Sequence, residues 1–142
     1  MHHPALFLVI LAMFLQVLLT IVVMFIMGRR RFAAHKTKAI PRDAFKTMDL
    51  GQAPESVVVA GRNFSNQFEM PNLFFVACLL AITLNNTSLF FAVVSVLFVV
   101  SRIVHSYIHL NGNFIVARFR VFMVGCALLI IQWITLMVTR SE

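Results

Sequence analysis

Positions 5–27 hold no charged residue and almost nothing polar, an unbroken run longer than the roughly 20 residues that carry a helix across a hydrocarbon core of about 30 Å. The pattern then breaks. Positions 28–55, GRRRFAAHKTKAIPRDAFKTMDLGQAPE, bring Gly28, Pro41, Gly51 and Pro54 together with most of the charge of the chain, and predict an aqueous loop. Helical periodicity resumes over 56–84 and stops at NNTS (85–88), a tight-turn sequence. A third helix is predicted over 89–109, ended by NGN (111–113) with Gly112 in the turn, and a fourth over 114–139. The pattern thus predicts an all-α chain: one integral membrane domain over 1–142, a four-helix bundle of four spans. At about 1.5 Å per residue the second helix is about 43 Å long, so its first half must leave the bilayer or be shielded by protein.

Polar positions inside the spans are the informative exceptions. In GRNFSNQFEMPNLFF (61–75), Arg62, Asn66 and Glu69 fall at i, i+4 and i+7, one face of a helix. On the third helix Arg102, His105 and His109 fall at i, i+3 and i+7, with Ser106 and Tyr107 beside them. On the fourth, Arg118 shares a face with Phe122, whereas Arg120 turns away and reads as a side chain snorkelling to headgroups. A charged side chain facing lipid at the bilayer centre costs at least about 2.5 to 3.5 kcal/mol, so these groups should point inward, paired or wetted. Glu69 can neutralise only one of Arg62, Arg102 and Arg118. The remaining positive charge describes an anion pocket, to which one of Arg29–Arg31, assigned here to Arg30, is added. The competing structural reading is a single Arg–Glu tie between helices with the other arginines at headgroup level.

Composition sharpens the class. The 142 residues are 61% hydrophobic and 12% charged with a net charge of +7, which in a soluble chain would suggest nucleic acid. Seven of the twelve Lys and Arg, however, lie between Arg29 and Lys46, beside the first span. No nucleic-acid partner is predicted; membrane lipid is. The basic loops mark the cytoplasmic side, which puts both termini outside the cytoplasm and, in a bacterium, the chain in the inner membrane. The first span is too long for a signal peptide, lacks a basic start and has no small-residue cleavage site after it, so it is read as retained.

Other chemistry is thin. Cys78 and Cys126 sit in apolar runs and read as small buried hydrophobes; His2 and His3 have nothing near them to complete a site. His105 and His109 have a zinc-like spacing but no third ligand, so no metal is predicted. No Ser–His–Asp set and no phosphate loop is present. The sequons at Asn85 and Asn86 lie in a turn too close to the membrane for glycosylation. The chain has no internal repeat, its halves are not inverted copies, and the first span has no acidic residue, which speaks against a transporter or a small multidrug exporter.

The motif RNFSNQFE on the second of four spans, followed by a proline, with RIVHSYIHL on the third and an arginine opening the fourth, resembles the MAPEG family (membrane-associated proteins in eicosanoid and glutathione metabolism), in particular its bacterial, largely uncharacterised branch. The resemblance implies a homotrimer of four-helix subunits, with the polar half of the second helix at the trimer centre and glutathione bound between subunits as co-substrate. It implies that Arg62, Asn66, Glu69, Arg102 and His105 hold or order glutathione, and that Arg118 stabilises its thiolate. The function so implied is a glutathione transferase or peroxidase acting on lipophilic electrophiles, a detoxification role. The alternative is a non-catalytic member that binds a lipid or anion. Hydroxyl residues of active members are replaced here by Phe119, Phe122 and His109, which speaks against isomerase chemistry on prostaglandin endoperoxides.

Overall fold

A computed structural model describes residues 4–139, so His2, His3 and the charged residues of the last three positions lie outside it. Six helices follow one another: α1 (Pro4–Lys36), α2 (Ala44–Thr47), α3 (Glu55–Asn66), α4 (Met70–Thr83), α5 (Leu89–Leu110) and α6 (Ile115–Val138), with no strand among the described residues. Three of them, α1, α5 and α6, are long and apolar enough to cross a membrane.

The outside of the molecule is apolar. Phe7, Phe14, Phe25, Leu79, Phe90, Ile134 and Met137 are all exposed, as expected where the surroundings are lipid. The interior depends on small residues that let helices approach: Ala12, Ala77, Ala81 and Ala92 are fully buried, and Phe74 stacks on Phe98 at 4.7 Å between centroids. Helix α5 is the most buried of the three long helices and packs on α1, α3 and α6.

Two features differ from the pattern read along the chain. Helix α1 runs nine residues past Met27 and takes up the start of the expected loop 28–55. The reason is local: Arg, Ala and Lys are good helix formers, and an interior Gly28 costs only about 1 kcal/mol. The helix ends instead at Lys36, and two residues later Lys38, with a φ of 56°, turns the backbone left-handed ahead of Pro41.

The second difference lies in the polar stretch itself. The helix expected over 56–84 is two helices, α3 and α4, separated at Gln67–Glu69. Pro71 has no N–H to offer the Gln67 carbonyl, and its ring crowds that carbonyl, so an α-helical turn cannot continue through it. The chain closes α3 with i→i+3 hydrogen bonds instead, Gln67 N to Phe64 O at 3.0 Å and Phe68 N to Ser65 O at 3.0 Å, and Pro71 then opens α4. Alone, the 14 residues of α4 reach about 21 Å, short of a hydrocarbon core.

Buried amides hold α3 in place. Gln67 accepts a hydrogen bond from Gln16 Nε2 of α1 at 3.0 Å, and donates to Asn63 Oδ1 at 3.1 Å and to Ser106 Oγ of α5 at 3.2 Å. Ser106 Oγ donates to Asn63 Oδ1 at 3.1 Å, closing a ring between α3 and α5 to which Gln16 ties α1. All four side chains are buried. The face of α3 opposite the charged stripe is therefore fixed by this ring.

Candidate functional site

The charged stripe lines a cavity of about 500 Å³ at the basic end of the molecule. From α3 and the turn after it come Arg62, Ser65, Asn66 and Glu69; from α5, His105 and His109; from α6, Ile115, Arg118, Phe119 and Phe122. Helical spacing explains why α3 can supply four of these, and the tightened turn explains why the break does not misdirect the last. In a 3₁₀ turn residues i and i+3 eclipse, so Glu69 is carried over Asn66.

The charges in this cavity have no ion-pair partner among the described residues. Among the described residues the only ion pair is Lys46–Asp43 in the loop, so neither Arg62 nor Arg118 is within 4.0 Å of Glu69 or any other carboxylate. Arg118 donates from Nη1 to Asn113 Oδ1, at the turn that opens α6, which aims the guanidinium without neutralising it. Both nitrogens of His105 and Nδ1 of His109 are buried without a hydrogen-bond partner among the described residues. His105 packs edge-on against Phe122, 5.8 Å between centroids. Orphaned buried donors and acceptors are costly, about 1 to 3 kcal/mol each, so their clustering at one cavity marks a place built to receive polar groups from outside the chain.

Two residues expected in this site are placed elsewhere. Arg102 is almost fully buried one turn deeper on α5, behind Phe122, with its Cζ 5.8 Å from that ring's centroid; it does not line the cavity, and its Nε and Nη2 find no hydrogen-bond partner among the described residues. The i−3 spacing from His105 puts it on the right face but too far toward the membrane centre. Arg30 is spent on backbone: its guanidinium donates to Ser56 O at 3.0 Å and to Leu110 O at 3.0 Å. It caps the C-terminal end of α5, where the carbonyls are unpaired and the helix dipole is negative. Arg31, one residue on and turned by about 100°, lies over Gly61 and lines a smaller pocket together with Arg62.

Ser65 and Ile115 join the site without standing out in the sequence, although Ser65 lies at i+3 from Arg62 and i−4 from Glu69, on the same stripe. Its hydroxyl donates to Gly61 O at 3.2 Å. Among the described residues no group of three or more His, Cys, Asp or Glu is placed to hold a metal ion.

Comparison with known proteins gives one clear result. No curated protein and no solved structure matches the chain. The model of the MAPEG family, by contrast, matches residues 9–138, from the first span to the last and through every residue of the cavity. A membrane protein with three long apolar helices, a polar cavity on the broken one, and this match over nearly its whole length belongs to the MAPEG family.

Proposed function

We propose that the cavity binds glutathione and that the protein is a membrane glutathione transferase or peroxidase acting on lipophilic electrophiles. One observation carries this reading: two guanidinium groups and one carboxylate with no ion pair among the described residues, and two imidazoles with buried nitrogens that find no hydrogen-bond partner there, converge on a single cavity of about 500 Å³. Glutathione presents two carboxylates, one ammonium and a thiol. Arg62 would take a carboxylate, Glu69 the ammonium, and Asn66, His105 and His109 would complete the hydrogen bonds. Bound there, glutathione supplies a sulfur nucleophile.

The task of the protein is to keep that sulfur deprotonated and to bring an apolar partner to it. A guanidinium next to a thiol favours the thiolate, and Arg118, which lines the cavity and donates to Asn113, would serve this role. Phe119, Phe122 and Ile115 give the same cavity an apolar wall facing the lipid side, through which an electrophile dissolved in the bilayer could enter. In this reading α3 and α4 together form the fourth span, and three subunits assemble so that α3 is shielded from lipid at their centre. The basic end faces the cytoplasm.

The absence of tyrosine at Phe122 favours a second reading, in which the cavity binds an anion or lipid without turnover. Purified protein given glutathione and 1-chloro-2,4-dinitrobenzene separates the two. Turnover that is lost in Arg118→Ala while glutathione still binds supports the enzyme; binding without turnover in the wild type supports the second reading.

A further inference from the structure

A second basic cavity, of about 610 Å³, lies outside the site described above, where α1 leaves the hydrocarbon and α2 folds back on it. The fold makes this cleft deliberately. Ile40, Ala34 and Val57 form a small buried core of their own, with Phe45, Leu50 and Ala53 packed on it, and His35 meets Phe45 edge-on at 5.6 Å. These contacts pin the loop to the end of α1. As a result Arg42 and Lys46 from the loop side stand opposite Arg31 and His35 on α1, with Phe32 and Met48 completing the wall.

The chemistry of the lining is that of a phosphate with an apolar tail. Lys46 pairs with Asp43 at 2.8 Å, but among the described residues neither Arg31 nor Arg42 has a carboxylate within 4.0 Å, and Arg31 Nε is buried with no hydrogen-bond partner there. Phe32 on α1 is 65% exposed and Met48 in the loop 51%, an unusual exposure for large apolar side chains beside two arginines. Depth accounts for it. The apolar run ends at Met27, and Phe32 lies about 7 Å further along the axis, within the headgroup layer of about 5 to 8 Å on each side of the core. Aromatic and basic residues combined at that depth suit the interface between lipid tail and headgroup.

We propose that this cleft holds the phosphate headgroup of an anionic phospholipid, with Arg31 and Arg42 on the phosphate and Phe32 against the acyl chain. The assignment is independent of the glutathione reading, because Arg42 and Lys46 line the cleft and not the cavity of Arg118. A lipid held here would tie the loop to the membrane surface.

Native mass spectrometry of the full-length protein in detergent, with short-chain phosphatidylglycerol and phosphatidylcholine supplied in competition, tests it. The wild type should retain phosphatidylglycerol in preference. Arg42 is exposed, so Arg42→Glu should fold, and it should weaken retention about 25-fold, at roughly fivefold for each of two charge units. Arg42→Lys should restore most of it, and Arg120→Glu, the same charge change on α6, should leave it unaltered. Equal retention of the two lipids, equal loss in Arg120→Glu, no loss in Arg42→Glu, or displacement by inorganic phosphate as effective as by the lipid would each overturn the proposal.

Discussion

Replacing Gln67 by leucine keeps the volume of the side chain and removes only its amide, which makes it a direct test of what the buried ring contributes. Gln67 links α3 to α1 through Gln16 and to α5 through Ser106. In Gln67→Leu the Asn63–Ser106 bonds survive, at 3.1 and 3.3 Å, but the Gln16 amide loses its one partner, since its Oε1 already has none. Two interhelical hydrogen bonds at the membrane average of about 0.6 kcal/mol give a lower figure of about 1.2 kcal/mol. An orphaned buried amide adds toward an upper figure of about 3 kcal/mol. Stability should therefore fall by about 2 kcal/mol, measured as a shift in the midpoint of unfolding in mixed detergent micelles followed by circular dichroism. The double variant Gln16→Leu/Gln67→Leu leaves no amide orphaned on this link, so it should be markedly less destabilised than the sum of the two single changes. Strict additivity, or no loss in Gln67→Leu, would refute the claim that this ring fixes α3.

Arg30→Ala should lower stability by about 2 kcal/mol, because it removes two charged hydrogen bonds to Ser56 O and Leu110 O, yet leave glutathione affinity within about twofold, measured by titration calorimetry. A large loss of affinity would return Arg30 to the binding site. Gly125→Ala should cost about 1 kcal/mol, since the added Cβ would sit 3.0 Å from Ser101 Oγ where α6 packs on α5. Combining it with Ser101→Ala should recover most of that in the same unfolding assay.

How much of this was legible in the sequence differs from residue to residue. Arg62, Asn66 and Glu69 could be grouped because helical spacing alone puts them on one face, and the structure brings them to one cavity with His105, His109 and Arg118. The break at Gln67–Glu69 was hidden although Pro71 was in plain view, because a proline near a helix start and one inside a helix look alike in a continuous apolar pattern. Gln16, Asn63 and Gln67 carry no charge, and although Asn63 and Gln67 stand at i and i+4, only the packed helices reveal that they meet Gln16 and Ser106. Three consecutive arginines point in three directions on a helix, which is why Arg30 and Arg31 could be told apart only by what each one touches. Arg102 shows the limit of spacing in the other direction: a shared face does not fix depth.

The central claim is that Arg118 holds glutathione as its thiolate, and the ultraviolet difference spectrum of the thiolate, recorded on the bound complex as a function of pH, tests it most directly. A free thiol with a pKa of about 8.5 is roughly 3% ionised at pH 7, and an adjacent guanidinium lowers such a pKa by about 1 to 3 units, which raises the thiolate share to between about a quarter and nearly all. The thiolate signal of the wild-type complex should therefore persist down to at least about one unit below that of free glutathione, and in Arg118→Ala it should return to the free value while glutathione stays bound. A bound thiol that titrates like free glutathione in the wild type would contradict the account.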